Sequence, residues 1–242
     1  MPAHLEEQVE LLATVDLFAG LETRLLTELS AIATYSPLAK GEYVFFQGDP
    51  ADAVFLLLEG QVKLALTNGR GEQITVEHVA PGQAFALLGA FKQTKYPVSA
   101  QAMTAGEIVQ WDAAAYKALF EQYPELAVNS TRIMTDRSIN FQSRILELST
   151  EKVERRIAHA LLRLAHQMGK KGRRGVVIDL NLTRQDIAEL SGTTLFTASR
   201  TLSKWQSAGV VECSKERVLI TDAHQLVDIA EDLPSKYKSL IS

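Results

Sequence analysis

The spacing of hydrophobic residues changes twice along the chain, from helical to strand-like and back to helical. Residues 5–33 repeat apolar side chains every three or four positions, which predicts two short helices separated by Gly20. From Pro37 onward the apolar runs are short and glycines separate them, with turn signals at Asn68-Gly69 and Pro81-Gly82. The predicted strands are Tyr43–Phe46, Val54–Leu58, Val62–Leu66, Ile74–Val79, Phe85–Leu88 and Glu107–Trp111. This pattern predicts a small antiparallel barrel or roll.

A long helical stretch follows, from Pro124 to about Leu148. One row of its residues recurs at alternating steps of four and three, which is a heptad repeat and predicts pairing with the same helix of a second chain. The predicted dimer seam consists of Ala127, Thr131, Met134, Ser138, Phe141, Ile145 and Leu148. A second stripe, Val128, Ile139 and Leu146, is expected to pack on the roll. The alternative is a single amphipathic helix within one domain.

The C-terminal third contains a pair of helices separated by a glycine. After an amphipathic helix at 151–168, the basic segment Gly169–Gly175 is interpreted as a solvated turn. Thr183 and Asp186 form a capping pair that opens a helix over Arg184–Leu190. Gly192 ends this helix, and a second one is expected to run to about Gln206. This arrangement predicts a helix-turn-helix.

The second helix of this pair has two chemically different faces. Leu195, Ala198, Leu202 and Trp205 are expected to be buried, while the opposite face offers side chains suited to the DNA major groove. Arg200 can bond guanine, Phe196 can contact a thymine methyl, and Lys204 can reach a phosphate. The candidate DNA-binding residues are Thr183, Arg184, Thr193, Thr194, Phe196, Thr197, Ser199, Arg200 and Lys204.

Two further short strands follow this helix. Val210–Glu212 and Val218–Ile220, joined across residues 214–217, predict a β-wing attached to the helix-turn-helix. An ordinary helical hairpin is the alternative for the helix–glycine–helix segment alone. The wing, the capping pair and the outward arginine together favour DNA binding.

Charge and composition support this division of the chain. The net charge of −4 is uneven, because residues 1–148 carry 10 basic and 18 acidic side chains whereas residues 149–242 carry 15 and 11. A basic C-terminal part is suited to a polyanion. The single cysteine, Cys213, excludes a disulfide framework or an iron–sulfur site with four cysteines from one chain. Without a secretion signal or a long apolar segment, we expect a cytoplasmic protein with no membrane partner.

Other functional classes find less support. The sequence contains no P-loop, nucleophile elbow, HExxH pattern or kinase signature, which argues against an enzyme. A sensor whose basic domain contacts something other than operator DNA is the nearest alternative. The two differ in salt response, since DNA affinity falls steeply as salt rises.

From about residue 15 to residue 230 the chain resembles the CRP/FNR family of bacterial transcription regulators. The resemblance is carried by Phe46–Asp52, Leu58–Leu64, Pro81-Gly82, Leu182–Ala188 and Thr197–Arg200. It implies an α+β fold, with an antiparallel β-roll like that of cyclic-nucleotide-binding domains, a long dimerisation helix and a C-terminal winged helix-turn-helix. The expected boundaries are 1–123 for the effector-sensing roll, 124–149 for the dimerisation helix and 150–242 for the DNA-binding domain. The implied partners are operator DNA, a second copy of the chain and, for an activator, RNA polymerase.

The departures from the family pattern concern the effector. Where cyclic-AMP-binding members have Gly-Glu and Arg-Ser pairs, this chain has Ala86-Leu87 and Tyr96-Pro97, which offer no carboxylate for ribose and no cation for phosphate. We therefore expect no cyclic AMP bound in the usual way. The single cysteine likewise argues against an iron–sulfur sensor. The expected effector pocket comprises Phe85, Leu87, Leu88, Tyr96, Pro97, Val98 and Ser138.

Three possibilities for the signal stay open: an unidentified small effector, no effector, or haem. The Tyr96–Ala102 segment resembles the haem-dependent, nitric-oxide-responsive branch of the family, and His78 is the candidate axial ligand. Many members also have Glu where Phe196 stands. We expect Arg200 to read guanine, while the base otherwise read by that Glu is relaxed or changed to thymine.

Overall fold

The computed structural model describes residues 3–71, 73–92, 94–178, 180, 182–214 and 217–233. The chain forms two compact units, one of residues up to 71 with 76–141 and one of residues 72–75 with the chain from 142 onward. Each is described by itself below. No helix within the described ranges is long and apolar enough to cross a membrane.

The N-terminal unit is an antiparallel roll preceded by helices, as predicted. Two helices come first, α1 (Ala3–Ala13) and α2 (Thr23–Ala31), with a 3-10 turn between them at Asp16–Phe18. The eight strands are β1 (Thr34–Leu38), β2 (Tyr43–Phe45), β3 (Ala53–Glu59), β4 (Val62–Thr67), β5 (Gln73–Val79), β6 (Ala84–Phe85), β7 (Ser99–Ala102) and β8 (Gly106–Asp112). They form two four-stranded sheets, ordered β1-β8-β3-β6 and β2-β7-β4-β5.

The strand prediction was wrong at one place and incomplete at two. The predicted strand Phe85–Leu88 ends at Phe85, because Ala86 has a φ of 61° and α3 (Leu88–Phe91) begins two residues later. Strands β1 and β7 were not predicted. Strand β1 contains Pro37, which a strand tolerates best at an edge, and β1 is an edge strand paired only with β8 in its sheet.

Helix α4 (Ala113–Gln122) follows β8, and the Asp112 carboxylate accepts a hydrogen bond from the amide of Ala115, which confirms Asp112 as its cap. Helix α5 (Pro124–Thr150) contributes to both units, which divide between Phe141 and Gln142. Leu126 and Ser130 on this helix are buried, and the Ser130 hydroxyl lies 3.3 Å from the Tyr116 hydroxyl.

The second apolar stripe of α5 does not pack on the roll as predicted. Val128, Ile139 and Leu146 are 66%, 55% and 64% exposed. The packed row follows Leu126 and Ser130 instead, with steps of three and four residues, so the stripe lies on another side of the helix. Periodicity identified both rows but could not say which one faces the roll.

The C-terminal unit combines four helices with one four-stranded sheet in the described residues. The helices besides the end of α5 are α6 (Val153–Met168), α7 (Arg184–Leu190), α8 (Leu195–Ser207) and α9 (Ala223–Ala230). The strands are β9 (Gly169–Gly172), β10 (Gly175–Ile178), β11 (Val211–Cys213) and β12 (Val218–Ile220), in the order β11-β12-β10-β9. The basic segment 169–175 is therefore a strand and a tight turn of a hairpin, because β10 gives it a partner.

Candidate DNA-binding surface and roll cavity

The first helix of the helix-turn-helix, α7, begins with a complete capping box. The Thr183 hydroxyl accepts a hydrogen bond from the amide of Asp186, and the Asp186 carboxylate accepts one from the amide of Thr183 at 2.8 Å. These bonds satisfy amides at a helix start that have no partner within the helix. The predicted capping pair is confirmed, and it fixes where α7 begins.

The turn between the two helices depends on Gly192. Its φ is +55°, which favours glycine. A Cβ at this position would lie 2.6 Å from Leu148 Cδ2, so Leu148 covers the turn. The sequence predicted Leu148 in the dimer seam, and the structure places it half-buried against this turn of the same chain.

The second helix, α8, starts after Thr194. The Thr194 hydroxyl accepts a hydrogen bond from the amide of Thr197 and lies 3.0 Å from the Thr197 hydroxyl. Thr194 rather than Thr193 is therefore the cap. Thr193 is half-buried, and its amide donates to the Ala188 carbonyl at 3.0 Å.

The inner face of α8 was predicted correctly except at Leu195. Ala198, Leu202 and Trp205 are at most 1% exposed, but Leu195 is 48% exposed. Leu195 is the first residue of the helix, so the α8 turn that would otherwise cover it does not exist on its N-terminal side. Thr201, which the apolar pattern did not indicate, is buried instead at 6% exposure.

The outward face of α8 carries the residues chosen as base readers. Phe196 is 76% exposed and Arg200 is exposed one turn later, while Thr197 and Ser199 are half-buried beside them. Because Phe196 and Arg200 are four residues apart, they lie on the same side of the helix. An aromatic ring and a guanidinium group thus share one accessible surface.

Two basic side chains near α8 are engaged within the C-terminal unit. Arg184 Nη1 donates to the Ser199 carbonyl and to the Ser203 hydroxyl, both at 3.1 Å, which joins the start of α7 to α8. Lys204 Nζ lies 3.3 Å from the Glu154 carboxylate in an exposed ion pair. Such a pair is weak, so Lys204 can exchange it for a phosphate at little cost.

The predicted wing is present. Strands β11 and β12 pair in antiparallel fashion with Val211 opposite Ile220, and Ser214 donates its amide to the Arg217 carbonyl across the loop. The wing prediction is confirmed for the strands. Lys215 and Glu216 of the loop lie outside the described residues.

The N-terminal unit contains a cavity of about 220 Å³, which we call the roll cavity. Its lining is mostly apolar, with one acidic and one basic residue. The lining residues are Phe45, Leu64, Glu77, Ala86, Leu87, Leu88, Tyr96, Pro97, Val98, Met134, Arg137, Ser138 and Phe141. Six of the seven predicted pocket residues are among them. Phe85 is not, because it is fully buried and stacks on Phe55 in the core beneath.

Tyr96 forms one wall of the roll cavity in a fixed orientation. Its hydroxyl donates to the Ala53 carbonyl at 3.0 Å and accepts from the Ala53 amide at 3.1 Å, and its ring stacks on Phe45 at 3.8 Å. Burial raises the pKa of Tyr96 to about 12, so the phenol is neutral at physiological pH. Tyr96 therefore gives the cavity an aromatic surface rather than a charge.

The charged pair in the roll cavity was not predicted. Arg137 Nε lies 3.1 Å from the Glu77 carboxylate, and Arg137 Nη2 donates to the Ala84 carbonyl at 2.6 Å. Burial raises the pKa of Glu77, with Arg137 opposing the shift. The two residues are 60 positions apart on a strand and a helix, and neither sequence periodicity nor motif spacing links them.

The haem-ligand candidate does not fit the roll cavity. His78 is 4% exposed in β5 and is not among the side chains that line the cavity. An axial ligand must reach the iron of the group that it holds. His78 therefore does not fit the role of axial ligand to a group in this cavity.

The predicted dimer seam is divided between two environments. Ala127 is half-buried, Thr131 is exposed, Phe141 is 36% exposed and Ile145 is 65% exposed. Met134 packs partly against the core of the N-terminal unit and, with Ser138 and Phe141, lines the roll cavity. These three positions thus have contacts within one chain that the heptad pattern did not indicate.

Two sequence families match the chain, one in each unit. Residues 36–123 match the cyclic nucleotide-binding domain, and residues 155–229 match the Crp-like helix-turn-helix domain. The first match covers the roll strands β2 to β8 and helix α4. The second covers α7, α8 and the wing.

Characterised regulators are similar over most of the chain. The transcriptional activator protein anr of Pseudomonas aeruginosa is 32% identical over 80% of this chain and 79% of its own length. Electron transport regulator A of Shewanella oneidensis is 31% identical over 78% of this chain and 76% of its own length. The structure of FixK2 from Bradyrhizobium japonicum matches the fold with a TM-score of 0.73, covering 82% of this chain and 97% of FixK2 at 19% identity.

The capped helix-turn-helix, the roll and these similarities lead to one assignment. The chain belongs to the CRP/FNR family of transcription regulators, which bind DNA and are not enzymes.

Proposed function

We propose that the protein is a homodimer that binds a two-fold symmetric DNA operator through helix α8 of each chain. The observation that carries this proposal is the outward face of α8, where Phe196 and Arg200 are both exposed. The N-terminal residues of a recognition helix contact base edges in the major groove. Arg200 donates to a guanine in each half-site, and Lys204 contacts a phosphate.

The dimer part of the proposal is supported by helix α5. Val128, Ile139, Ile145 and Leu146 are each at least 55% exposed, which is unusual for four large apolar side chains on one helix. A second copy of α5 provides the partner surface that would bury them. In this scheme residues 1–123 sense the signal, 124–149 pair, and 150–242 bind DNA.

The signal is a small effector other than cyclic AMP held in the usual way. The roll cavity supports this part, because the place of the family Gly-Glu pair is taken by Ala86-Leu87 and its lining has a single cation, Arg137. Arg137 is already paired with Glu77. A phosphate entering the cavity would have to compete with that carboxylate and would meet mostly apolar walls. Cyclic AMP at millimolar concentration is therefore expected to leave the thermal unfolding midpoint unchanged.

Selection from random double-stranded DNA tests the operator proposal. The full chain should enrich an inverted repeat whose half-sites are about 10 base pairs apart, centre to centre. Arg200→Ala should relax one guanine position in each half-site at a cost of about 1–3 kcal/mol. Phe196→Glu should change the preferred base at a different position.

Two results would contradict the proposal. Enrichment of a single unrepeated site would argue against a symmetric dimer. Equal loss of affinity by Arg200→Ala on every sequence would leave Arg200 as a phosphate contact without a role in readout.

A further inference from the structure

Helix α8 begins with two adjacent apolar side chains that the C-terminal unit does not cover. Leu195 is 48% exposed and Phe196 is 76% exposed, and they are the first two residues of the helix. Large apolar groups side by side on a surface gain nothing for folding, and such patches mark sites of interaction. The pair therefore needs a partner outside this unit.

The position of the pair points to DNA as that partner. The helix belongs to a Crp-like helix-turn-helix, and in such motifs the N-terminal turn of the second helix reaches the base edges. Arg200 is exposed on the same side as Phe196, one turn further along. Leu195 and Phe196 thus stand at the end of α8 that enters the groove.

The chemistry of the two side chains restricts what they can read. Neither can donate or accept a hydrogen bond, so neither distinguishes the polar groups of guanine, adenine or cytosine. The apolar group that an unmodified base pair presents in the major groove is the C5-methyl of thymine. Because successive helix residues point about 100° apart, the pair can contact methyl groups of two different bases.

We propose that Leu195 and Phe196 read the methyl groups of two thymines in each half-site, beside the guanine read by Arg200. Leu195 is then a specificity residue, although its spacing in the sequence placed it in the core. This inference rests on the proposed operator binding and names the base chemistry that the recognition helix selects.

Replacing thymine with deoxyuridine tests the inference, because the exchange removes the methyl group and leaves every hydrogen-bonding group unchanged. Starting from the selected operator, each thymine of both half-sites is exchanged in turn and the affinity of the full chain is measured. Two positions per half-site should each lose about fourfold per methyl. Leu195→Ala should abolish the loss at one position and Phe196→Ala at the other. Val227→Ala, an exposed apolar residue of α9, serves as the matched control and should keep both losses.

Several outcomes would overturn the inference while leaving operator binding intact. These are a selected operator without thymines beside the guanine, equal affinity for every deoxyuridine duplex, or both methyl effects persisting in both alanine variants. In the last case the apolar pair would serve contact with another protein. Failure to select any symmetric operator would instead reject the proposed function itself.

Discussion

Arg137 Nε lies 3.1 Å from the carboxylate of Glu77, and both side chains line the roll cavity with at most 22% of their surface exposed. An ion pair in an otherwise apolar cavity lining has two consequences. Loss of one partner leaves a charge without compensation in a dehydrated place. The pair also sets the charge that any effector meets in this cavity.

Arg137→Gln should lower the free energy of unfolding by about 2 kcal/mol or more, because breaking a fully buried pair costs about 3–5 kcal/mol and this one is partly exposed. Urea unfolding measures the change. Arg24→Gln is the control, since Arg24 pairs with Glu28 on the surface with 74% of its side chain exposed. The control should change little. Equal effects of the two variants would show that the Arg137 pair is not dehydrated.

The raised pKa of Glu77 predicts a pH dependence. A carboxyl whose folded pKa lies above its unfolded value binds its proton more tightly in the folded protein. Its contribution is therefore full below the unfolded pKa, about 4.5, and is lost as pH rises through the folded pKa. The stability of the wild type relative to Glu77→Gln should fall over that interval. A difference that is flat or rises with pH would contradict the assignment.

Arg184 and Lys204 should affect DNA binding in different ways. Arg184 joins α7 to α8 through Ser199 and Ser203, so Arg184→Ala should lower stability by about 1.5 kcal/mol and leave the salt dependence of DNA affinity unchanged. Lys204→Ala should keep stability and flatten the log–log salt slope by about 0.9. Affinity titrations at several salt concentrations, with thermal unfolding, measure both. Reversed effects would exchange the two roles.

Gly192→Ala should be more destabilising than Gly209→Ala. Both glycines have positive φ, so each alanine incurs about 1–2 kcal/mol of backbone strain. Only at Gly192 does the new Cβ also meet Leu148, whereas no heavy atom lies within 4 Å of a Cβ at Gly209. Unfolding free energies of the two variants measure the difference. Adding Leu148→Ala to Gly192→Ala should recover the excess, and equal costs for the two glycines would show that Leu148 imposes no constraint.

Features set by neighbouring residues were predictable from the sequence. The capping box of Thr183 and Asp186 and the cap at Asp112 involve residues three apart, so spacing alone identifies them. Most of the inner face of α8 also followed from its period. Leu195 did not, because periodicity does not show that a helix has just begun and that nothing covers its first turn.

Features that depend on distant parts of the chain were not predictable. Glu77 and Arg137 meet because a strand and a helix converge. Likewise, the glycine-rich segment 169–175 looks like a solvated turn until β10 pairs with β9. The apolar rows of α5 were both visible, but choosing the one that packs on the roll requires the tertiary structure.

A native mass spectrum of the full chain mixed with its selected operator tests the central claim most directly. The account predicts two chains on each duplex. It also predicts that Ile139→Glu, which places a charge on the exposed face of α5, lowers the fraction of that complex. One chain per duplex, or an unchanged complex with this variant, would contradict a symmetric dimer formed through α5.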